Sequence, residues 1–270
     1  MMVVILLLMT EKSDQLYCVD NDSVINRNKM LTLSSEHEAT LFQHFLETIV
    51  IVHTVFVVLD GASLSLVNAH PSHVIIFKVY TPPHTPSPTV ISVPCSMLLS
   101  TSPKAGVTVF DTDQVTGAFR VFGVAIQSHA ANPIPVRELH VLPALVPFQH
   151  VPSHVISRDR FNTVVYTMCL GVSDTRFTTD GGALTMRTEF DGNSSITATF
   201  PPHEPQTTMT SLTSTLTSTA VTSTKLLRRV TPLIAMYKQV RVFIGGNGVL
   251  TLQCKAHDNR CEIVSQHLTK

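Results

Sequence analysis

Charge is what this 270-residue sequence has least of. Asp, Glu, Lys and Arg make up 14 % of it, well under the ~25 % of average usage. Nineteen cations balance nineteen anions, so the formal net charge is zero. Global attraction therefore cannot draw the chain onto a polyanion, and any nucleic-acid contact needs a local basic stripe. The 13 histidines do not alter this, because near pH 7 most histidines are neutral. Cysteine is also sparse: Cys18, Cys95, Cys169, Cys254 and Cys261 are odd in number and scattered. That fits a reducing compartment better than a disulfide framework, although Asn193-Ser194-Ser195 matches a glycosylation acceptor. The apolar run Met2–Met9 has no basic flank and no small-residue cleavage site. It falls far short of the ~20 residues of a spanning helix, so no membrane association is expected. Residues 1–29 read as an extension outside the fold, with Met30 as an alternative start.

Catalytic motifs are missing too. The sequence has no Gly-x-Ser-x-Gly elbow, no P-loop and no His-Glu-x-x-His. Gly245-Gly246-Asn247-Gly248 lies between strand patterns and so lacks the helix start that a phosphate needs. Asp111 and Asp113 read as a solvated turn. Cys254, His257 and Cys261 have loosely zinc-like spacing without a fourth ligand, and read as two half-buried cysteines and a surface histidine. The expectation is a non-enzyme with no catalytic residue, no metal and no cofactor.

What is present is repetition. Hydrophobic residues make up 44 % of the chain, enough for a sizeable core, and each half offers the same series of patterns. The first copy is a helix at Leu41–Val52, a strand at Thr54–Leu59, a turn at Asp60-Gly61 and a strand at Ser63–Val67. The second is a helix at Ser153–Met168, a strand at Gly171–Thr178, a turn at Asp180-Gly181-Gly182 and a strand at Ala183–Phe190. Ser35 and Glu38 form a capping box ahead of the first helix. Leu41, Phe42, Phe45, Leu46 and Ile49 make its apolar face. Further strands are expected at Val74–Tyr80, Val107–Phe110, Ala118–Ala125, Val240–Ile244, Val249–Cys254 and Glu262–His267, with short helices at Ser96–Leu99 and Thr224–Val230, the latter ended by Pro232. Thr81–Thr89 and the Ser/Thr-rich Pro201–Thr224 read as loops, and Pro133–Pro147 as an extended segment joining the halves. Strands with helices segregated to one face make an α+β fold.

The basic residues follow the helices. Lys104 comes just after the second; Arg158 and Arg160 lie on the third; Lys225, Arg228 and Arg229 lie on the fourth. On a shared face they would form a stripe able to touch phosphates without reading sequence. The alternative is a set of ordinary solvated helix faces.

In order and spacing these elements resemble the eukaryotic-type DNA sliding clamp, the proliferating cell nuclear antigen family. Met30-Leu31-Thr32-Leu33 is similar to that family's opening strand. Ser63-Leu64-Ser65-Leu66-Val67 followed by Pro71-Ser72-His73-Val74 is the most specific local likeness; Leu142-Pro143, Asp180-Gly181-Gly182 and Thr231-Pro232-Leu233 add to it. Departures are the neutral charge, His37 and His44 where the family tends to place lysines, and Ile263-Val264 in place of a Tyr-Tyr. The resemblance implies a clamp fold of two similar domains, at 30–132 and 151–270, with 133–150 as the interdomain connection. Each domain would carry antiparallel sheets outside and two short helices inside. It also implies a nuclear, trimeric ring around double-stranded DNA that tethers a polymerase or repair enzyme and is opened by a clamp loader. Lys104, Arg158, Arg160, Lys225, Arg228 and Arg229 would then face phosphates. Ala69, His73, Val74, Leu139, Leu142, Val249 and Val264 would line a pocket for partner peptides. A checkpoint-clamp subunit or a non-ring viral structural or surface β-protein are the alternatives.

Overall fold

The computed structural model describes residues 31–33, 35–49, 54–59, 63–80, 89–99, 108–113, 118–121, 124–126, 154–171, 174–180, 182–190, 194–201 and 217–268. The first half runs β1 (Leu31–Thr32), α1 (Glu36–Ile49), β2 (Thr54–Leu59), β3 (Ser63–His70), β4 (His73–Tyr80), β5 (Thr89–Pro94), α2 (Cys95–Leu99), β6 (Thr108–Asp113), β7 (Ala118–Val121) and β8 (Val124–Ile126). The second repeats it as β9 (His154–Ser157), α3 (Arg158–Met168), β10 (Thr175–Asp180), β11 (Ala183–Glu189), β12 (Ser195–Phe200), β13 (Ser218–Thr222), α4 (Thr224–Ile234), β14 (Gln239–Ile244), β15 (Leu250–Lys255) and β16 (Cys261–His267).

The repeat extends to pairing. The order β1-β6-β7-β8 in one half matches β9-β14-β15-β16 in the other, and β5-β2-β3-β4 matches β13-β10-β11-β12. One joint breaks the parity. β4 pairs antiparallel with β16 over seven residue pairs, from Cys261↔Val79 to His267↔His73, and fuses two four-stranded sheets into one of eight.

The alternation of strand residues sets what lies on each face of that sheet. Val55 and Val57, Leu64 and Leu66, Ile75 and Phe77, Ile263, and Leu250 and Leu252 point to the helices and share one core with α1, α3 and α4. Phe77 meets Phe42 edge-on at 5.1 Å between ring centroids and Phe45 at 5.6 Å. The opposite face carries a separate cluster of Val67, Val74, Ile76 and Val264, with Phe56, Val58 and Ala69 packed against it. Asn68 is the misfit on the helix side: it is 1 % exposed, and neither amide atom has a hydrogen-bond partner among the described residues. An unpaired buried amide costs about 1–3 kcal/mol. Asn68→Leu, which keeps the volume and removes the polar atoms, is expected to raise the urea midpoint; an unchanged or lower midpoint counts against this.

Helix α1 starts at Glu36, directly after the capping Ser35 and five residues before its apolar stripe. The Ser35 hydroxyl accepts from the Glu38 N–H at 3.2 Å, and the Glu38 carboxylate pairs with Arg260 at 3.2 Å. Four sequence expectations shift, the first being that Asp111 and Asp113, read as a solvated turn, lie in β6, paired with Arg120 and Ala118 of β7. Val155 and Ile156, assigned to a helix from Ser153, lie in β9, paired with Arg241 and Val240 of β14; β-branched side chains suit a pleated, half-buried surface. The stretch Pro201–Thr224 contains β13, paired with β10. Helix α4 runs through Pro232 to Ile234. The ring forfeits one backbone bond, but Leu233 and Ile234 are at most 1 % exposed, and their burial holds the last turn. The turn at Asp60-Gly61, most of Thr81–Thr89, the stretches 1–29 and 133–150, and the domain boundaries lie outside the described residues.

Candidate nucleic-acid interface

Helix α4 packs against both α1 and α3 on one side of the eight-stranded sheet. The Cys169 thiol beyond the end of α3 donates to the Thr224 carbonyl at the start of α4. The Arg158 Nη1 at the start of α3 donates to the Ala235 carbonyl past the end of α4, at 3.4 Å. The two helices therefore run antiparallel. The Arg229 Nε of α4 donates to the Thr48 carbonyl of α1 at 3.1 Å, which ties the last turn of the first half's helix to the second half.

The helices differ in what they offer a polyanion. The free face of α1 carries Glu36, His37, Thr40, Gln43 and Glu47 and has no Lys or Arg. On α3, Arg158 sits against Asp159 at 2.8 Å; this hydrogen bond, then the carboxylate charge, holds the guanidinium above its ordinary pKa. Arg160 is exposed, donates to the Thr199 carbonyl at 3.3 Å and lies 4.9 Å over the Phe200 ring. On α4, Lys225 and Arg228 are exposed, and neither makes a hydrogen bond or ion pair among the described residues. Arg229 is half-buried as the brace just described. Of the six cations read from the sequence, two are thus free to meet a phosphate, three are spoken for in whole or part, and Lys104 lies outside the described residues.

The expected peptide pocket divides in the same way. Val74 and Val264 belong to the outer apolar cluster, Ala69 packs on it, and Val249 is 8 % exposed. His73 lies on the other side of the sheet, because it precedes Val74 on β4. Leu139 and Leu142 lie outside the described residues. Cys254 and Cys261 are buried in the core; desolvation pushes both thiols up, that of Cys261 to about 12. His257 is exposed on the turn between them.

Sequence reasoning missed a polar cluster at the seam where β4 meets β16. The His70 and His73 rings stack at 4.8 Å, with the Ser72 hydroxyl 2.8 Å from His70 Nδ1 and 3.1 Å from His73 Nδ1. His267 is bonded at both ring nitrogens, to Thr222 and Ser265. Burial first, then the neighbouring His70 and Arg229, hold His73 down at about 4; burial, then His73, holds His267 at about 3. The signal was present in His70-Pro71-Ser72-His73, but what brings His267 and Arg229 to it is the β4–β16 pairing, which no local pattern encodes.

No family model matches the sequence, and no curated protein matches it significantly. Solved structures do. A. fulgidus PCNA, in a complex with the C-terminal region of FEN-1, aligns at a TM-score of 0.63 with 12 % identity, covering 90 % of this chain and 98 % of that one. The proliferating cellular nuclear antigen of Entamoeba histolytica aligns at 0.57 with 12 % identity, over 86 % and 96 %. The H. pylori beta clamp aligns at 0.59 with 9 % identity, over 92 % of this chain and 67 % of that one. Identity this low speaks to architecture alone, and the architecture is plain: this chain has the sliding-clamp fold, of the PCNA-like kind and in a divergent form.

Proposed function

We propose that the protein is a non-catalytic sliding clamp of the nucleus, a trimeric ring that encircles double-stranded DNA and tethers replication or repair enzymes. One observation carries this reading. Within the chain, β4 is joined to β16; their counterparts in the repeat are β12 and β8, and both are sheet edges among the described residues. The remaining edge strands β1, β9, β5 and β13 are edges in both halves. The unsatisfied pair β12 and β8 therefore calls for the same joint between copies, head to tail, and such a heterologous joint makes a ring where its rotation closes and a filament where it does not. Encirclement lets weak phosphate contacts suffice, which fits a chain with no net charge. The outer apolar cluster around Val74 and Val264 is the surface offered to partner peptides, whose apolar anchors would supply most of the affinity; a clamp loader would open the ring. Sedimentation tests the ring: a species near three times the 29.6 kDa chain mass is expected, and a lasting monomer that never stimulates a polymerase on primed circular DNA removes the proposal.

The grip on DNA is expected to rest on α4. Lys225→Ala with Arg228→Ala should weaken binding equally for all sequences and flatten the plot of log K against log salt by about 0.9 for each phosphate no longer neutralised. Arg158→Ala should leave that slope unchanged, because its guanidinium is held by Asp159 and Ala235. Fluorescence anisotropy over a salt series reads both outcomes.

A further inference from the structure

The free face of α3 is poor in what a phosphate needs. Asp159 is taken by Arg158, and the exposed Thr163 and Thr167 hydroxyls donate to the helix's own carbonyls at Asp159 and Thr163. What the face presents instead is apolar. Tyr166 is 59 % exposed and Leu170 72 %, the large hydrophobic side chains left in solvent among the described residues. Four residues apart, they are neighbours on the helix surface.

This pair stands beside the free cations of α4. The Cys169 thiol meets the Thr224 carbonyl, which fixes the level of the two antiparallel helices. Tyr166 lies three residues before Cys169 and Arg228 four residues after Thr224, so at about 1.5 Å per residue they come to nearly the same level. They also lie on flanks that face each other. Tyr166 is about 60° round α3 from Cys169, which touches α4; Arg228 is about 100° round α4 from Arg229, which reaches the other way to α1. Burial raises the Cys169 thiol, and the Arg228 charge opposes that rise, as a guanidinium close by must. Cys169, Lys225 and Arg228 line one open groove, with Asp174 its single carboxylate among the described residues. Neither Tyr166 nor either cation makes a hydrogen bond, ion pair or ring contact among the described residues.

An exposed aromatic ring set against two unpaired cations matches an unstacked nucleotide, whose base has a face for the ring and whose phosphates have charge for the cations. A duplex keeps its base faces inside its own stack and offers the ring nothing. We propose that the α3–α4 groove binds single-stranded nucleic acid, with Tyr166 stacked on a base, Leu170 against the edge of that base, and Arg228 and Lys225 on the flanking phosphates. The inference rests on the reading of this helical layer as the nucleic-acid face and adds to it a site for unpaired strand.

The test is fluorescence anisotropy of a labelled oligothymidylate and of a duplex of equal length at one salt concentration. Tyr166→Ala is expected to weaken single-strand binding roughly five- to a hundredfold and duplex binding by less than about twofold. Tyr166→Phe, which keeps the ring and loses the hydroxyl, should bind both as wild type does, and Arg228→Ala should weaken both. Position 166 is exposed, so folding does not need the tyrosine, and circular dichroism checks this. A second readout is direct. The sequence has no tryptophan, so Tyr166→Trp supplies a sole indole, whose emission oligothymidylate should quench and the duplex should not. Equal losses on the two ligands, a loss in Tyr166→Phe, or an indole that the single strand leaves unquenched would overturn the proposal. Unchanged single-strand affinity in Tyr166→Ala would overturn it too, and would assign the patch to a protein partner. Failure of the underlying reading shows separately, as a duplex that does not bind or does not respond to Lys225→Ala with Arg228→Ala.

Discussion

A proline in β12 is expected to turn the assembly into folded monomers. Strand β12 spans Ser195–Phe200, pairs with β11 on one side only and contains no charged residue and no proline among Ser-Ile-Thr-Ala-Thr-Phe. Natural edges are normally blunted by charge, proline or a bulge; β12 holds neither charge nor proline, and Arg160 meets it from outside at the Thr199 carbonyl and the Phe200 ring, which leaves Ser195–Ala198 open to pairing. Adjacent residues on an edge strand send one N–H inward to β11 and the next outward, so of Thr197→Pro and Ala198→Pro one spares the chain's own sheet. That variant removes a ladder bond at every joint and leaves its partner carbonyl unpaired, about 1–3 kcal/mol, which is roughly five- to a hundredfold in the dissociation constant of each joint. Light scattering should read a mass near 29.6 kDa with a native circular dichroism spectrum. The companion substitution, at the inward N–H, should instead destabilise the β10–β13 sheet. Wild-type mass retained by both variants would show that β12 is not a joint, and the ring reading would lose its main support.

The same substitution should abolish retention on closed circular DNA while leaving short-duplex binding weak and salt-sensitive, since a monomer keeps Lys225 and Arg228 but cannot encircle. The contrast separates topology from affinity, which alanine changes on α4 cannot do.

How far the sequence could be read depended on the range of the interaction. The α1 start was legible because a cap is local: Ser35 and Glu38 lie three residues apart, and the hydroxyl-to-amide bond is there at 3.2 Å. The hairpin at Asp180-Gly181-Gly182 was equally local, with Asp180 paired to Ala183 and Gly182 at a φ of 84° that only glycine adopts readily. Val155 and Ile156 were misread because a short apolar run fits a helix face or a buried strand alike, and the partner that decides, β14, lies more than 80 residues away. Pro232 was misread for the converse reason: a local rule ended the helix, and the packing of Leu233 and Ile234 overrode it. At the candidate site, charge placed Lys225 and Arg228 correctly on α4, but nothing in the spacing showed that Arg229, one residue on, turns inward to brace α1. His73 went to the wrong side of the sheet by a single residue of strand parity, the slip that most changes a side chain's surroundings.

Acid is expected to loosen the seam between the halves before the rest of the molecule. His267 is 1 % exposed and held near 3, chiefly by burial, against an ordinary 6.5 in the unfolded chain. A histidine whose folded pKa is depressed binds its proton more readily when unfolded. Its contribution is therefore complete above about pH 6.5 and shrinks as the pH falls towards the folded value. At pH 5 the loss from His267 alone is about 2 kcal/mol. His73, held near 4, loses stability in the same direction over a narrower range. Both rings sit where β4, β13, β16 and α4 meet, and each proton would arrive beside Arg229 or the other histidine, with Asp174 the only carboxylate lining the cavity there among the described residues. Urea unfolding at pH 7, 6 and 5 should therefore show a falling midpoint, and hydrogen exchange should show β4 and β16 losing protection first. His267→Gln, which can still meet Thr222 and Ser265 but cannot titrate, should be less stable at pH 7 and much flatter with pH. A wild-type midpoint that is flat from pH 7 to 5, or a variant that keeps the full slope, would place the acid-sensitive group elsewhere. The same seam joins the two halves of each chain, so in the proposed ring its opening and the loss of encirclement should follow one titration.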